Sequence, residues 1–286
     1  MKMRNSVVSV AIALVVVFGA LVLVLGVAGP AFSTATLTAQ ATPASSPTPP
    51  AGDVIPLKPL AGLTSLDATV KLQVNGLVNG KHTQGDLTAL VTTNDQKKSQ
   101  ATVSGSLLGT ITAQVGGSLV GLFTPSEVDV FKVPQGTYVV VNGVFPVCVK
   151  PQAADATKSL DDLSPQALLT MLTSSDVARG KFVGNETLKG AAVKHYVING
   201  DTFVTSAQNS SDPKVRAFGE ALWSAKDADL YLDATGGYPV AFNGSYSGSF
   251  EPLNFEGDFS VQIELTGVNT NTRVDLPASC NKPISR

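Results

Sequence analysis

The sequence predicts an α+β domain of about ten largely antiparallel strands with two short helices. Three observations point there: period-two alternation from Leu66 onward, turn signals between the apolar runs, and two helix starts led by proline. Ala68, Val70, Leu72 and Val74 alternate with Asp67, Thr69, Lys71, Gln73 and Asn75, the pattern of a strand with one dry and one wet face. Asn79-Gly80 follows as a hairpin turn, because both residues tolerate positive φ. Further strands are expected over 86–93, 99–108, 110–122, 127–133, 137–144, 181–189, 191–199, 228–233, 238–247 and 255–266. The clearest of these sets Phe259, Val261, Ile263 and Leu265 against Ser260, Gln262, Glu264 and Thr266. Short turns between most neighbours favour antiparallel pairing.

The helices are read from their starts. Ser164-Pro165 offers an N-cap followed by proline at the first helical position, with Leu168, Leu169 and Leu172 as the apolar stripe and Gly180 past the end. Asp212-Pro213 repeats the signal, with Val215, Phe218 and Leu222 on one face and Trp223 beside it.

The N-terminus sets the expected location. Lys2 and Arg4 precede an apolar run to Phe32, and no charge occurs between Arg4 and Asp53. A run of about 20 apolar residues spans a bilayer, whereas the apolar core of a cleaved signal is roughly 7–15 residues long. The length favours a retained signal anchor, a single transmembrane helix over 1–32, although the small residues around Ala35 and Ala39 leave cleavage open. Positive charge ahead of the run places everything downstream outside the cell membrane. Residues 33–60, rich in Pro, Ser and Thr, read as an extended linker, and 61–286 as the folded domain. Cys148 and Cys280 form an even pair, so in an oxidising compartment a disulfide is expected, with two buried thiols as the alternative.

The 286 residues carry 20 basic and 22 acidic side chains, a formal charge of −2. That balance gives no clustered basic face for nucleic acid. The two histidines, His82 and His195, lack metal-ligand spacing, and His195 reads as a strand residue pairing across the sheet. No nucleophile elbow, Ser-x-x-Lys setting or phosphate-cradling glycine loop occurs. No enzyme activity, metal or cofactor is expected. The Asn185, Asn209 and Asn243 sequons are read as turn chemistry. Apolar load exceeds simple alternation at Leu107-Leu108, Leu119-Val120, Leu122-Phe123, Val139-Val140-Val141 and Val144-Phe145. Strands apolar on both faces are either covered by helices or line a cavity.

Two stretches carry a resemblance. Gly184-Asn185-Glu186-Thr187-Leu188-Lys189-Gly190, running into Val193-Lys194-His195-Tyr196, resembles a strand pair of the LolA-like superfamily, as in LppX/LprG-type envelope lipid-binding proteins. Asp227-Ala228-Asp229-Leu230-Tyr231-Leu232-Asp233, then Gly237-Tyr238-Pro239-Val240, is similar to their next hairpin, with Tyr231 where the family commonly has Trp. The resemblance implies an antiparallel β half-barrel closed by helices over an apolar cavity. It implies a carrier or binder of lipid or acylated molecules, here membrane-tethered through its N-terminal helix. The alternative is an envelope sensor or scaffold with a packed core and a protein partner. A cavity would be lined by residues that alternation leaves unexplained: Leu108, Ile111, Leu122, Phe123, Val139, Val141 and Phe145. Leu168, Leu172, Phe218 and Leu222 on the helices would close it.

Overall fold

The computed structural model describes residues 53–58, 60, 63–96, 98–108, 126–142, 146–150, 165–174, 176–250, 255–270 and 272–285, without the side chains at 165–168, 250 and 285. The expected N-terminal helix, the linker up to Gly52 and the strand expected over 110–122 lie outside these residues. No helix among the described residues is long and apolar enough to cross a membrane.

The strands are β1 (Asp53–Val54), β2 (Leu66–Val78), β3 (Lys81–Thr93), β4 (Ser99–Ser104), β5 (Glu127–Val133), β6 (Gly136–Asn142) and β7 (Val147–Lys150), then β8 (Arg179–Leu188), β9 (Ala191–Ile198), β10 (Leu222–Ala225), β11 (Ala228–Asp233), β12 (Pro239–Phe250), β13 (Phe255–Val268) and β14 (Ile284–Ser285). Among the described residues three α-helices accompany them: α1 (Pro165–Leu172), α2 (Gly200–Gln208) and α3 (Pro213–Ala221). The strands form one open sheet in the order β1-β8-β9-β11-β12-β13-β2-β3-β4-β5-β6-β7-β14, with β10 added against β12. Among the described residues, every pairing is antiparallel except that of β14 with β7. The architecture is thus α+β and largely antiparallel, with fourteen strands among the described residues where about ten are expected.

Register turns the sequence alternation into a core. Cross-strand partners place Phe182, Tyr196, Leu230, Phe242, Ile263, Val70, Ala89, Val103, Val128, Val141 and Val147 in one unbroken apolar row. A one-residue slip in any strand would turn its whole set to water, so this row fixes the register. Leu169 and Leu172 of α1, Phe203, Val204 and Ala207 of α2, and Val215 and Phe218 of α3 join the same buried cluster. The helices therefore cover one face, here the inner face. Near one end, Gly248, Gly257 and Gly76 are consecutive partners across β12, β13 and β2. A Cβ on Gly76 would stand 2.3 Å from the Glu256 carbonyl oxygen, so the backbones meet there at a distance only glycine allows.

The outer face of β5–β7 carries a second core. Phe131, Val133, Tyr138, Val140 and Cys148 pack with Val274, Cys280 and, partly buried, Leu276. The C-terminal segment lies over these strands, tied by the Cys148–Cys280 disulfide. This explains the double-faced Val139-Val140-Val141: Val139 and Val141 face the helices' side, and Val140 faces the C-terminal cover.

Several expectations change in the structure. Residues 200–208 form a helix that the sequence reading lacks. Its cap is Asn199, whose side chain accepts from Thr202 N at 3.1 Å, while Asp227 accepts from Gly200 N at 3.0 Å. Leu222 is not helix-borne: α3 ends at Ala221, and Leu222 opens β10, paired with Gly248 and buried. The Asp212 cap is as expected, accepting from Lys214 N at 2.7 Å ahead of Pro213. The strand expected over 99–108 stops at Ser104, where Gly105 takes φ +130 and the Leu108 N–H donates to the Gly105 carbonyl. Gly180 does not follow a helix but lies in β8. Asn185 and Asn243 lie inside strands, not turns. The folded part also begins before 61, since β1 pairs with β8 and both Ile55 and Leu60 are buried.

Candidate functional site

Of the residues expected to line or close an apolar site, Leu108, Val139, Val141, Leu172, Phe218 and Leu222 all belong to the one inner cluster. Leu108 and Val139 have no exposed surface. Ile111, Leu122, Phe123 and Phe145 lie outside the described residues, as does the Leu168 side chain. The β-sheet thus brings residues from β6, β10, α1 and α3 into one apolar interior that extends under the helices.

Part of that interior is an aromatic group, and the sequence reading missed it. Tyr246 on β12 touches three rings: Phe259 on β13 at 5.2 Å, and Phe203 and Phe218 on α2 and α3, each at 5.5 Å. Phe255 extends the group through Phe259. Such stacked, tilted and edge-on contacts add to simple area burial. The Tyr246 hydroxyl lies over Gly244, where a Cβ would stand 2.4 Å from it. Tyr246 is only 3% exposed, and its hydroxyl has no hydrogen-bond partner among the described residues. Burial pushes its ionisation far above the ordinary tyrosine range, so it is present as a neutral hydroxyl donor. A buried hydroxyl usually finds a partner, and leaving one unsatisfied costs roughly 1–3 kcal/mol. The only visible signal in the sequence is a large phenol flanked by glycines at 244 and 248.

The outer face holds a different cluster. His195 on β9 places Nδ1 2.8 Å from Glu186 Oε1 and Nε2 2.9 Å from Asp229 Oδ1, and its ring stacks on Tyr231 at 4.5 Å. Carboxylate oxygens only accept, so satisfying both contacts requires both ring nitrogens to donate, which is the imidazolium. Burial opposes that charge, but hydrogen bonds to Asp229 and Glu186 and their two negative charges outweigh it, holding His195 above its usual value of 6.5. The arrangement clamps β8, β9 and β11 together, which agrees with a strand residue pairing across the sheet.

This has a pH consequence. In the interval between the unfolded value, about 6.5, and the raised folded value, the folded state binds more protons, so stability falls as pH rises. The stabilisation is complete below pH of about 6.5 and disappears as pH climbs through the folded value. Urea midpoints measured from pH 5.5 to 8.5 should decline for the natural chain and run flatter for His195→Gln. Equal slopes for the two chains would remove His195 as the source.

A polar cleft of about 410 Å³ lies between the β3–β4 turn and the C-terminal segment, lined by Asn94, Asp95, Gln96, Lys98 and Thr272 to Asp275. Its charged lining does not suit an acyl chain. No group of His, Cys, Asp and Glu fit to hold a metal occurs among the described residues.

No protein-family model matches the chain, and no curated protein matches it. Among solved structures it is similar to LprF from Mycobacterium bovis, at 15% identity over 76% of this chain and 90% of that one, with a TM-score of 0.40. It is also similar to a domain named for outer membrane lipoprotein sorting, from Vibrio parahaemolyticus, at 7% identity over 77% and 91%, with a TM-score of 0.24. A third likeness is to the MucA/MucB complex structure from Pseudomonas aeruginosa, at 12% identity over 75% of this chain and 56% of that one, with a TM-score of 0.26.

Proposed function

We propose that the chain is a non-enzymatic, extracytoplasmic protein, held at the membrane by its N-terminal segment, that binds the acyl chains of a lipid or lipid-modified molecule. The observation that carries this is the Tyr246 hydroxyl, orphaned inside the aromatic group beneath α2 and α3. An ordinary packed core accounts for apolar rows and full burial. It does not account for a buried donor kept without a partner at a cost. An amphiphile supplies what is missing: apolar chains to lie along the inner face and an oxygen to accept from Tyr246. Each buried CH₂ of such a chain is worth about 0.8 kcal/mol, enough to hold it out of water during transit. The buried disulfide supports an oxidising, extracytoplasmic setting.

The second reading is a sensor or scaffold with a filled core, favoured by the complete burial of Leu108 and Val139. One set of measurements separates them: native mass spectrometry of the gently purified chain for co-purified lipid, with fluorescent fatty-acyl binding and melting temperature of variants. A carrier should show bound lipid. Its Tyr246→Phe variant should lose about tenfold in affinity, the equivalent of one hydrogen bond near 1.4 kcal/mol, without losing unliganded stability. Val139→Phe and Val141→Trp should block binding while leaving the melting temperature nearly unchanged. In a filled core those enlargements overpack and cost roughly 1–3 kcal/mol. That result, with no acyl binding at any chain length, would select the scaffold.

A further inference from the structure

We propose that the free edge of β8, around Phe182 and Val183, is a docking surface for an anionic lipid bilayer, the face that this domain presents to its own membrane. The proposal rests on the membrane-tethered reading above and adds an orientation to it. β8 has β9 on one side, and on the other only β1, which covers Arg179 and Gly180. From Lys181 to Leu188 the outer edge has no strand partner among the described residues. A register shift between Phe182 and Gly184 bulges the strand at its most apolar point, which hinders the pairing of a further strand there but leaves the apolar side chains open to another kind of partner. Phe182 is 48% exposed and Val183 52%.

Three further features choose the occupant. Phe182 is the terminal member of the apolar row that crosses the sheet, and its ring lies 5.3 Å from buried Tyr196. The apolar interior therefore reaches solvent at this edge, whereas at the other end Val147 lies on β7, against which β14 is paired. Next, the described chain begins at this edge. Asp53 and Val54 are hydrogen-bonded to β8 itself, and the 52 residues before them lead back to the apolar N-terminal run. A tether attached at this edge holds it toward the membrane in a way that it does not hold β3 or β7. Finally, Arg179 and Lys181 stand just ahead of the apolar pair on the same strand, and cations beside exposed apolar groups suit a surface of anionic headgroups over acyl chains.

The test uses the full chain reconstituted in vesicles of phosphatidylcholine and phosphatidylglycerol, with the natural Trp223 replaced by Phe. Single tryptophans are placed by Phe182→Trp, by Val183→Trp and, as a control, by Leu90→Trp. Leu90 is 54% exposed on β3, six strands along the sheet from β8. Brominated lipid should quench tryptophan at 182 and 183 severalfold more than at 90. Adding Arg179→Glu and Lys181→Glu, or raising salt, should reduce the difference. Equal quenching at all three positions would overturn the proposal and leave the edge to the Pro-rich segment or to a partner protein. Failure of the tether itself would show separately, as release of the chain by carbonate. Absence of co-purified lipid would count against acyl binding without touching the quenching result.

Discussion

Removing the disulfide by Cys148→Ala with Cys280→Ala should lower the unfolding free energy by about 5 kcal/mol, because the bond closes a loop of 132 residues. The chain-entropy argument is only part of the case. Cys280 pins a segment with little regular structure, a single 3₁₀ turn at Ala278–Asn281 and the two residues of β14. That segment is what keeps Phe131, Val133, Tyr138 and Val140 dry on the outer face. Without the covalent tie, two residues of parallel pairing to β7 and the burial of Val274 must hold it. Urea melts of the oxidised chain and the double variant give the difference directly. In the variant, the outer face of β5–β7 should also gain amide exchange and bind a hydrophobic dye. A loss below 1 kcal/mol, with no gain in exchange, would mean that packing alone secures the tail.

The parts of this fold that were legible in the sequence are those where local signals and tertiary demands agree. Alternation in β2 and β13 and the Asn79-Gly80 turn, with φ of 51 and 73, survive because one face of each strand meets the core and the other meets water. The Asp212-Pro213 start of α3 is legible because the cap is local. By contrast, Asn199 is taken as the end of a strand, and the segment from Gly200 to Gln208 carries no expected element. It becomes α2 only because Asp227, 27 residues later, holds the Gly200 N–H and because Phe203, Val204 and Ala207 find the inner face. β10 escapes for a similar reason: Leu222 continues the apolar stripe of α3, and only its pairing with Gly248 makes it a strand. β1, β7 and β14 are too short to show a period. Of the site, Leu108, Val139, Val141, Leu172, Phe218 and Leu222 were legible as buried. The aromatic group was not, because Tyr246 and Phe259 occupy regular inward positions like any core residue, and only the fold brings Phe203 and Phe218 against them.

A chain beginning at residue 61 should be less stable than one beginning at residue 53 by about 3–6 kcal/mol, the burial of two large aliphatic side chains at roughly 1.5–3 kcal/mol each. Composition alone assigns 33–60 to a linker, and the two shortened chains would then be equivalent. The structure makes them different. Ile55 and Leu60 lie in the main cluster, at 3% and 6% exposure. The Ile55 N–H donates to the Ala178 carbonyl and the Lys58 N–H to the Gly237 carbonyl, both at 2.9 Å, so the segment bridges β8 to the β11–β12 turn. Deleting it would uncover Val177 and Ala178 as well as lengthen the free edge of β8. Denaturant melts of the two truncated chains decide the matter, with Ile55→Ala in the longer one as an intermediate case expected to lose about 2–5 kcal/mol. If the shorter chain melts with the longer one, residues 53–60 contribute no net stability, and the fold starts where composition alone would place it.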